Sequence, residues 1–130
     1  MIKFAYTIFY VKDVENSISF YEKVFGFKRK FIAPENEYGE LDTGSTTLSF
    51  AAIKLAKTNL SKGFMQSNKS EKPFGIEIGF TTDDVEGFFK SAIKHGASEE
   101  EKAKTKPWGQ VVAYIRDPDG FLIEICTPMG

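Results

Sequence analysis

The chain has one cysteine and one histidine in 130 residues. The lone Cys126 has no partner for an internal disulfide, so stability must come from a packed core, and a reducing cytoplasm is the expected compartment. The lone His95 leaves no Cys/His zinc spacing and no Ser-His-Asp relay for it to serve. There is no surplus of either charge: 17 basic side chains stand against 18 acidic ones, for a net charge of -1. That balance argues against an electrostatic nucleic-acid binder and against a polybasic membrane anchor. No apolar run approaches the ~18 residues of a membrane span. Residues 2–11 are apolar but lack a basic start and a small-residue cleavage site, so a strand is expected there, not a signal peptide. No glycine-rich phosphate loop is present.

What the chain does have is apolar material. It is 42% hydrophobic, with 13 Phe, 5 Tyr and one Trp, enough for one domain or two small, fused half-domains. Residues 3–11 alternate as a strand, with Tyr6, Ile8 and Tyr10 on one face. Asp13 is a candidate N-cap, and Val14, Ile18, Tyr21 and Phe25 recur at helical spacing up to Gly26, which predicts a helix over 14–25. Strands are expected at 27–32, 37–42 and 46–52, around turns at 33–36 and 42–45. Residues 54–73 carry five Lys among Ser, Asn and Gly with a single acid, Glu71, and read as a linker with a short helix near its start. A strand over 75–82 follows. Asp83 or Asp84 then caps a helix, with Glu86 completing a capping box from Asp83. Val85, Phe88, Phe89, Ala92 and Ile93 form its apolar face, and Gly96 stops it. Strands near 97–104, 110–116 and 121–127 close the pattern. The last two flank Asp117-Pro118-Asp119-Gly120, a turn by mechanism: Pro118 pre-sets one φ, Asp117 accepts from nearby N–H groups and Gly120 tolerates positive φ.

The two halves can be laid on each other. Tyr6-Thr7-Ile8 falls on Glu77-Ile78-Gly79, Asp13-Val14-Glu15 on Asp84-Val85-Glu86, and Ser49 on Glu124, each seven residues after an Asp. The expected fold is therefore α+β, with two βαβββ half-modules forming a curved mixed sheet around a cleft. The chain reads as a single domain, 1–130, with repeat one at 1–53, the linker at 54–73 and repeat two at 74–130.

Glu124 breaks an otherwise apolar strand. It marks either an exposed face or a group placed in a cleft. If Glu77 and Glu124 share a partly apolar cleft, both should not ionise easily, and one raised carboxyl could serve as general acid or base while Tyr6 donates a hydrogen bond to an oxyanion. Catalytic candidates are thus Glu77, Glu124 and Tyr6. The candidate pocket wall comprises Tyr6, Ile8, Tyr10, Ser49, Trp108 and Cys126, with strand parity leaving Glu40 open. Trp108, in a Pro-Trp-Gly turn, is either a packing plug or a cover that stacks on a planar ligand. Cys126 is read as a filler of cleft or core rather than a nucleophile. His95 is explained by its place at a helix C-terminus. Glu99-Glu100-Glu101 with Lys102, Lys104 and Lys106 reads as a solvated edge.

Val11-Lys12-Asp13-Val14-Glu15-Asn16-Ser17-Ile18-Ser19-Phe20-Tyr21-Glu22 with Phe25-Gly26-Phe27, and Asp117-Pro118-Asp119-Gly120 through Glu124, resemble the vicinal oxygen chelate superfamily over essentially the whole chain. That superfamily includes glyoxalase I, bleomycin and fosfomycin resistance proteins and extradiol dioxygenases. Gly39-Glu40-Leu41-Asp42-Thr43-Gly44 and Pro107-Trp108-Gly109-Gln110 also look like a bacterial glyoxalase-like branch. The resemblance implies four ligand positions in metal-dependent members, falling here on Tyr6, Ser49, Glu77 and Glu124. Only Glu124 matches the family's residue type, and the imidazoles expected at Tyr6 and Glu77 are missing. A divalent metal on Glu124 and Glu77 would have an oxygen-only donor set, better suited to Mg²⁺ or Mn²⁺; no cofactor is certain. Loss of the imidazoles argues against true glyoxalase I activity. The resemblance further implies a small oxygenated ligand, lyase or isomerase chemistry by proton transfer, and a homodimer. The alternative it carries is a bleomycin-resistance-like protein that sequesters a drug without catalysis. A third is a subunit with an idle cleft.

Overall fold

A computed structural model describes residues 1–129. Its elements are β1 (Tyr6–Val11), α1 (Val14–Phe25), β2 (Lys28–Ile32), β3 (Tyr38–Asp42), β4 (Thr47–Ala52), α2 (Ile53–Asn59), β5 (Glu77–Thr81), α3 (Val85–Lys94), β6 (Ser98–Thr105), β7 (Val111–Arg116) and β8 (Leu122–Cys126). Two four-stranded mixed sheets result, ordered β1-β4-β3-β2 and β5-β8-β7-β6. In each, the first strand pairs in parallel with the last and the other pairs are antiparallel. The chain divides into two compact units, Met1–Gln66 and a second starting at Ser67. Each is a βαβββ module, as the repeat requires. No helix among the described residues is long and apolar enough to cross a membrane.

Local chemistry sets the helix boundaries. Asp13 accepts from Asn16 N (3.2 Å), and Gly26 closes α1 in the left-handed region. The Asn36 side chain adds a second cap from the 3-10 turn Pro34–Asn36: its Nδ2 donates to Asp13 Oδ1 and its Oδ1 accepts from Glu15 N, both at 2.9 Å. The Asn36 bond, more than the Asn16 one, holds the Asp13 carboxyl below its ordinary pKa. In α3 the cap is Asp84, which accepts from Gly87 N at 2.9 Å. The expected capping box from Asp83 is not formed, because the helix starts one residue later and Gly87, not Glu86, stands three past the cap. His95 is the C-cap, its Nδ1 2.8 Å from Ser91 O.

Each helix covers one face of its own sheet. In the first unit Ile18 and Tyr21 of α1 and Leu41 and Phe50 of the sheet are all fully buried. The Tyr21 and Phe50 rings lie 5.3 Å apart and Phe9 meets Phe50 edge-on at 6.0 Å. A Cβ on Gly39 would stand 2.5 Å from Ile18 Cδ1, so the missing side chain lets α1 lie on β3. In the second unit the core comprises Val85, Ala92, Ala113, Ile115, Ile123 and Ile125. Each large side chain so buried contributes about 1.5–3 kcal/mol. The apolar face of α3 is narrower than its spacing suggests, since Ile93 is exposed. β1 begins at Tyr6 rather than at residue 3, leaving Ile2 and Phe4 exposed.

The Asp-Pro-Asp-Gly turn joins β7 to β8 and does more than reverse the chain. Asp117 is fully buried and its Oδ1 accepts from the N–H groups of Asp119 and Phe121. Gly120, at φ +94°, is packed against residues 67–69. The buried Arg116 completes the contact by donating to the carbonyls of Gly120 (2.6 Å), Glu71 (2.9 Å) and Asn68 (3.0 Å), with Glu100 Oε1 3.6 Å away. Residues 67–72, expected to be linker, are thus a strap bound to the turn of the second unit.

Candidate functional site

The face of each sheet opposite its helix carries the polar groups. Register places equivalent positions in the two units. Ile8 pairs with Ser49 and Ser49 with Glu40 in the first; Gly79 pairs with Glu124 and Glu124 with Tyr114 in the second. Ser49 therefore matches Glu124, and Tyr6 matches Glu77, as the sequence overlay has it. The same register matches Glu40 with Tyr114. The second unit thus has a phenol on the third strand and a carboxylate on the fourth, where the first has a carboxylate and a hydroxyl.

In the second unit, Tyr114 Oη donates to Glu124 Oε1 at 2.9 Å. Glu77, on the neighbouring edge strand, has its pKa raised by burial and then by the charge and hydrogen bonding of Glu124. Glu77 therefore holds its proton more tightly than a free carboxyl does. Burial, followed by the Glu124 carboxylate, pushes the Tyr114 phenol up to about 12. The same causes push the Cys126 thiol up to about 11, and its Sγ lies 3.8 Å from Phe80 O. An open cavity of ≈ 360 Å³ adjoins this array, lined by Glu77 and Tyr114 together with Ile76, Leu122 and, from β6, Glu100 and Glu101. A Cβ at Gly79, beside Glu124, would meet nothing within 4 Å, so the surface there is also open.

In the first unit, Tyr38 Oη donates to Glu40 Oε2 at 2.7 Å. Burial raises the Tyr38 pKa, Ser49 opposes that rise and Glu40 adds to it. Ser49 is fully buried, and its Oγ makes no hydrogen bond of acceptable geometry although it lies near enough to Tyr38 to act on it. Tyr6 and Ile8 are exposed on this face, and Tyr10 meets Phe64 edge-on at 4.8 Å. Parity settles Glu40: it shares the face of Tyr38 and Ser49.

Of the candidates named from sequence, Glu77, Glu124 and Cys126 come together in the second unit, and Tyr6, Ile8, Tyr10 and Ser49 lie in the first. Trp108 is at the tip of the β6–β7 hairpin, 63% exposed, its Nε1 donating to Gln110 Oε1 at 2.9 Å. It is therefore no packing plug. Sequence reasoning missed Tyr114. Counting back through the Asp117–Gly120 turn by strand register would have placed it opposite Glu124.

A divalent metal fits this donor set poorly. A carboxyl, a phenol and a thiol that all hold their protons more tightly than usual, with no imidazole beside them, are the reverse of the deprotonated ligands a metal demands. Among the described residues, no three of His, Cys, Asp and Glu are grouped to hold an ion.

Comparison with known proteins agrees with this architecture. The family model described as "Glyoxalase/Bleomycin resistance protein/Dioxygenase superfamily" matches residues 3–125. Lactoylglutathione lyase GLX1 of Arabidopsis thaliana is 29% identical over 95% of this chain and 43% of its own length. The chain thus spans less than half the length of that relative. Uncharacterized protein YraH of Bacillus subtilis is 29% identical over 88% of this chain and 90% of its own. Among solved structures, a glyoxalase-related enzyme from Fulvimarina pelagi superposes with TM-score 0.81 at 19% identity, covering 100% of this chain and 94% of that one. A glyoxalase/bleomycin resistance protein/dioxygenase family enzyme from Burkholderia phytofirmans PsJN gives 0.82 at 21% identity, covering 98% and 100%.

Proposed function

Given that the chain belongs to the glyoxalase/bleomycin resistance protein/dioxygenase superfamily, we propose that it binds a small oxygenated molecule and moves a proton on it without a metal, as an isomerase- or lyase-type enzyme. The observation that carries this reading is the Tyr114–Glu124–Glu77 array beside the ≈ 360 Å³ cavity. Glu124, oriented by the Tyr114 hydroxyl, is the base that removes a proton from the carbon next to a carbonyl. Glu77, whose proton is held more tightly than a free carboxyl's, is the acid that protonates the carbonyl oxygen as the enediol forms. Returning the first proton from Glu124 to the former carbonyl carbon, while the other enediol hydroxyl gives its proton to Glu77, completes an isomerisation and restores both groups. General acid–base catalysis of this kind contributes about 10²–10⁴-fold.

The test is exchange of the α C–H for deuterium in D₂O, followed by proton NMR, with a panel of α-hydroxyaldehydes and α-hydroxyketones and EDTA present. Exchange that depends on the protein, survives EDTA and drops about 100-fold or more in Glu124→Gln supports the reading. Exchange no faster than buffer for every compound, or unchanged in Glu124→Gln, overturns it.

A second reading is sequestration without chemistry, in the manner of a bleomycin resistance protein. It is supported by the exposed rings of Tyr6 and Trp108, 51% and 63% accessible, which offer stacking surface. Thermal stabilisation by planar aromatic compounds, with no α-proton exchange, would favour it. We further propose that the protein is a homodimer, which light scattering at micromolar concentration tests directly.

A further inference from the structure

The second-unit cavity has an uneven electrostatic wall. Pro73, Ile76, Leu122 and the Tyr114 ring give it an apolar body, Glu77 adds a carboxyl, and Glu100 and Glu101 of β6 supply its charges. The nearby cation, Arg116, is already engaged with three backbone carbonyls and lies 3.6 Å from Glu100. No Lys or Arg among the described residues pairs with Glu77 or Glu101. Register sets Glu101 directly across from Tyr114, which in turn faces Glu124. Acid, ring and acid thus form one row along the cavity side of the sheet. An anionic ligand entering here meets like charges with no compensating cation. An ammonium or guanidinium group meets the β6 carboxylates beside an aromatic ring, which a cation can also favour.

We propose that the molecule taken by this cavity is a small amphipathic cation, an amine or guanidine on an apolar body, and that Glu101 is a specificity-determining residue for it. The inference rests on the reading of this cavity as the ligand site. The β6 acids therefore act as the selective wall of that site. The Lys residues of the same strand, Lys102 and Lys104, do not line it.

The experiment is a methyl NMR titration of the full chain with three matched probes: benzylamine, benzyl alcohol and benzoate at neutral pH, observing Ile76 and Leu122. The expected result is that protonated benzylamine shifts these methyls with an affinity about ten-fold tighter than benzyl alcohol, that benzoate does not, and that Glu101→Gln removes most of the difference. Glu101 is exposed on an edge strand, so the variant folds, and its amide spectrum checks this. Alcohol or benzoate binding at Ile76 and Leu122 as tightly as the amine overturns the charge class and leaves the site reading standing. Amine binding unchanged by Glu101→Gln overturns the role of the wall. No shift at either methyl with any probe overturns both this inference and the cavity as ligand site.

Discussion

Replacing Gly120 by Ala should be among the most damaging single changes in the second unit, and Gly109 provides its control. Both residues sit at φ +94°. A side chain in that region costs about 1–2 kcal/mol at either position. A Cβ at Gly109 meets nothing within 4 Å, whereas one at Gly120 would stand 2.6 Å from Lys69 N and 2.7 Å from Asn68 C. Those atoms are backbone and cannot rotate away, so residues 67–69 must move by about the ångström that separates 2.6 Å from ordinary van der Waals contact. That shift breaks the 3.0 Å bond from Arg116 to Asn68 O and loosens the 2.9 Å bond to Glu71 O. A hydrogen bond to a charged group contributes about 1.5–3 kcal/mol. Gly120→Ala should therefore cost about 3–5 kcal/mol and Gly109→Ala about 1–2 kcal/mol. Urea denaturation with equal m-values measures the gap, and amide exchange at residues 67–72 should speed up only in Gly120→Ala. Equal destabilisation by the two variants, within about 1 kcal/mol, would refute the claim that the turn anchors the strap.

The other expectations are simpler. Asn36→Gly keeps the left-handed backbone but removes both cap bonds, and should lower stability by about 1 kcal/mol at neutral pH. Because Asp13 has a lowered folded-state pKa, its part of that stability is present above the unfolded pKa and lost as pH falls through the folded one. Thermal melts of wild type and Asn36→Gly should therefore converge from about pH 5 downward; a constant gap would show that the Asp13–Asn36 bond contributes nothing. Cys126, buried and with its thiol near 11 instead of 9, should react with iodoacetamide at pH 8 about 100-fold more slowly than an ordinary thiol. Labelling at the rate of free cysteine would mean the group is neither buried nor shielded by Glu124.

What the sequence disclosed, and what it hid, divides along physical lines. Both helix starts, the αL stop at Gly26 and the seven-residue step from Asp to Ser49 or Glu124 are local signals, and they carry the βαβββ pattern that both units show. Asp84 rather than Asp83 as cap turns on a single residue of helix start, which adjacent identical side chains do not resolve. The strap at 67–72 was illegible because Arg116 holds it by backbone carbonyls, which every sequence supplies. Ile93 matches the apolar spacing of α3 yet is exposed, because a ten-residue helix buries only the stripe that meets β6, β7 and β8. Glu40 could be placed only once the β3–β4 register was known, since a one-residue slip would put it on the helix side.

The exchange of chemistry between Glu40/Ser49 and Tyr114/Glu124 yields a sharper test of where proton transfer occurs. Tyr38 and Tyr114 make nearly the same bond, a phenol to a glutamate at 2.7 Å and 2.9 Å. Glu40 has Ser49 opposite it across the β3–β4 pairing, while Glu124 has beside it a second carboxyl, Glu77, whose pKa is raised by burial and then by Glu124. Removing the phenol in Tyr38→Phe leaves a part-exposed carboxylate to be solvated, so α-proton exchange should stay within about two-fold of wild type. Removing it in Tyr114→Phe takes away the group that orients the base, and should slow exchange by about 10-fold with little change in apparent affinity, the pattern of lost positioning of the reacting groups. If Tyr38→Phe slowed exchange as much as Tyr114→Phe, the chemistry would not belong to the paired carboxyls, and the acid–base assignment of Glu77 and Glu124 would fall with it.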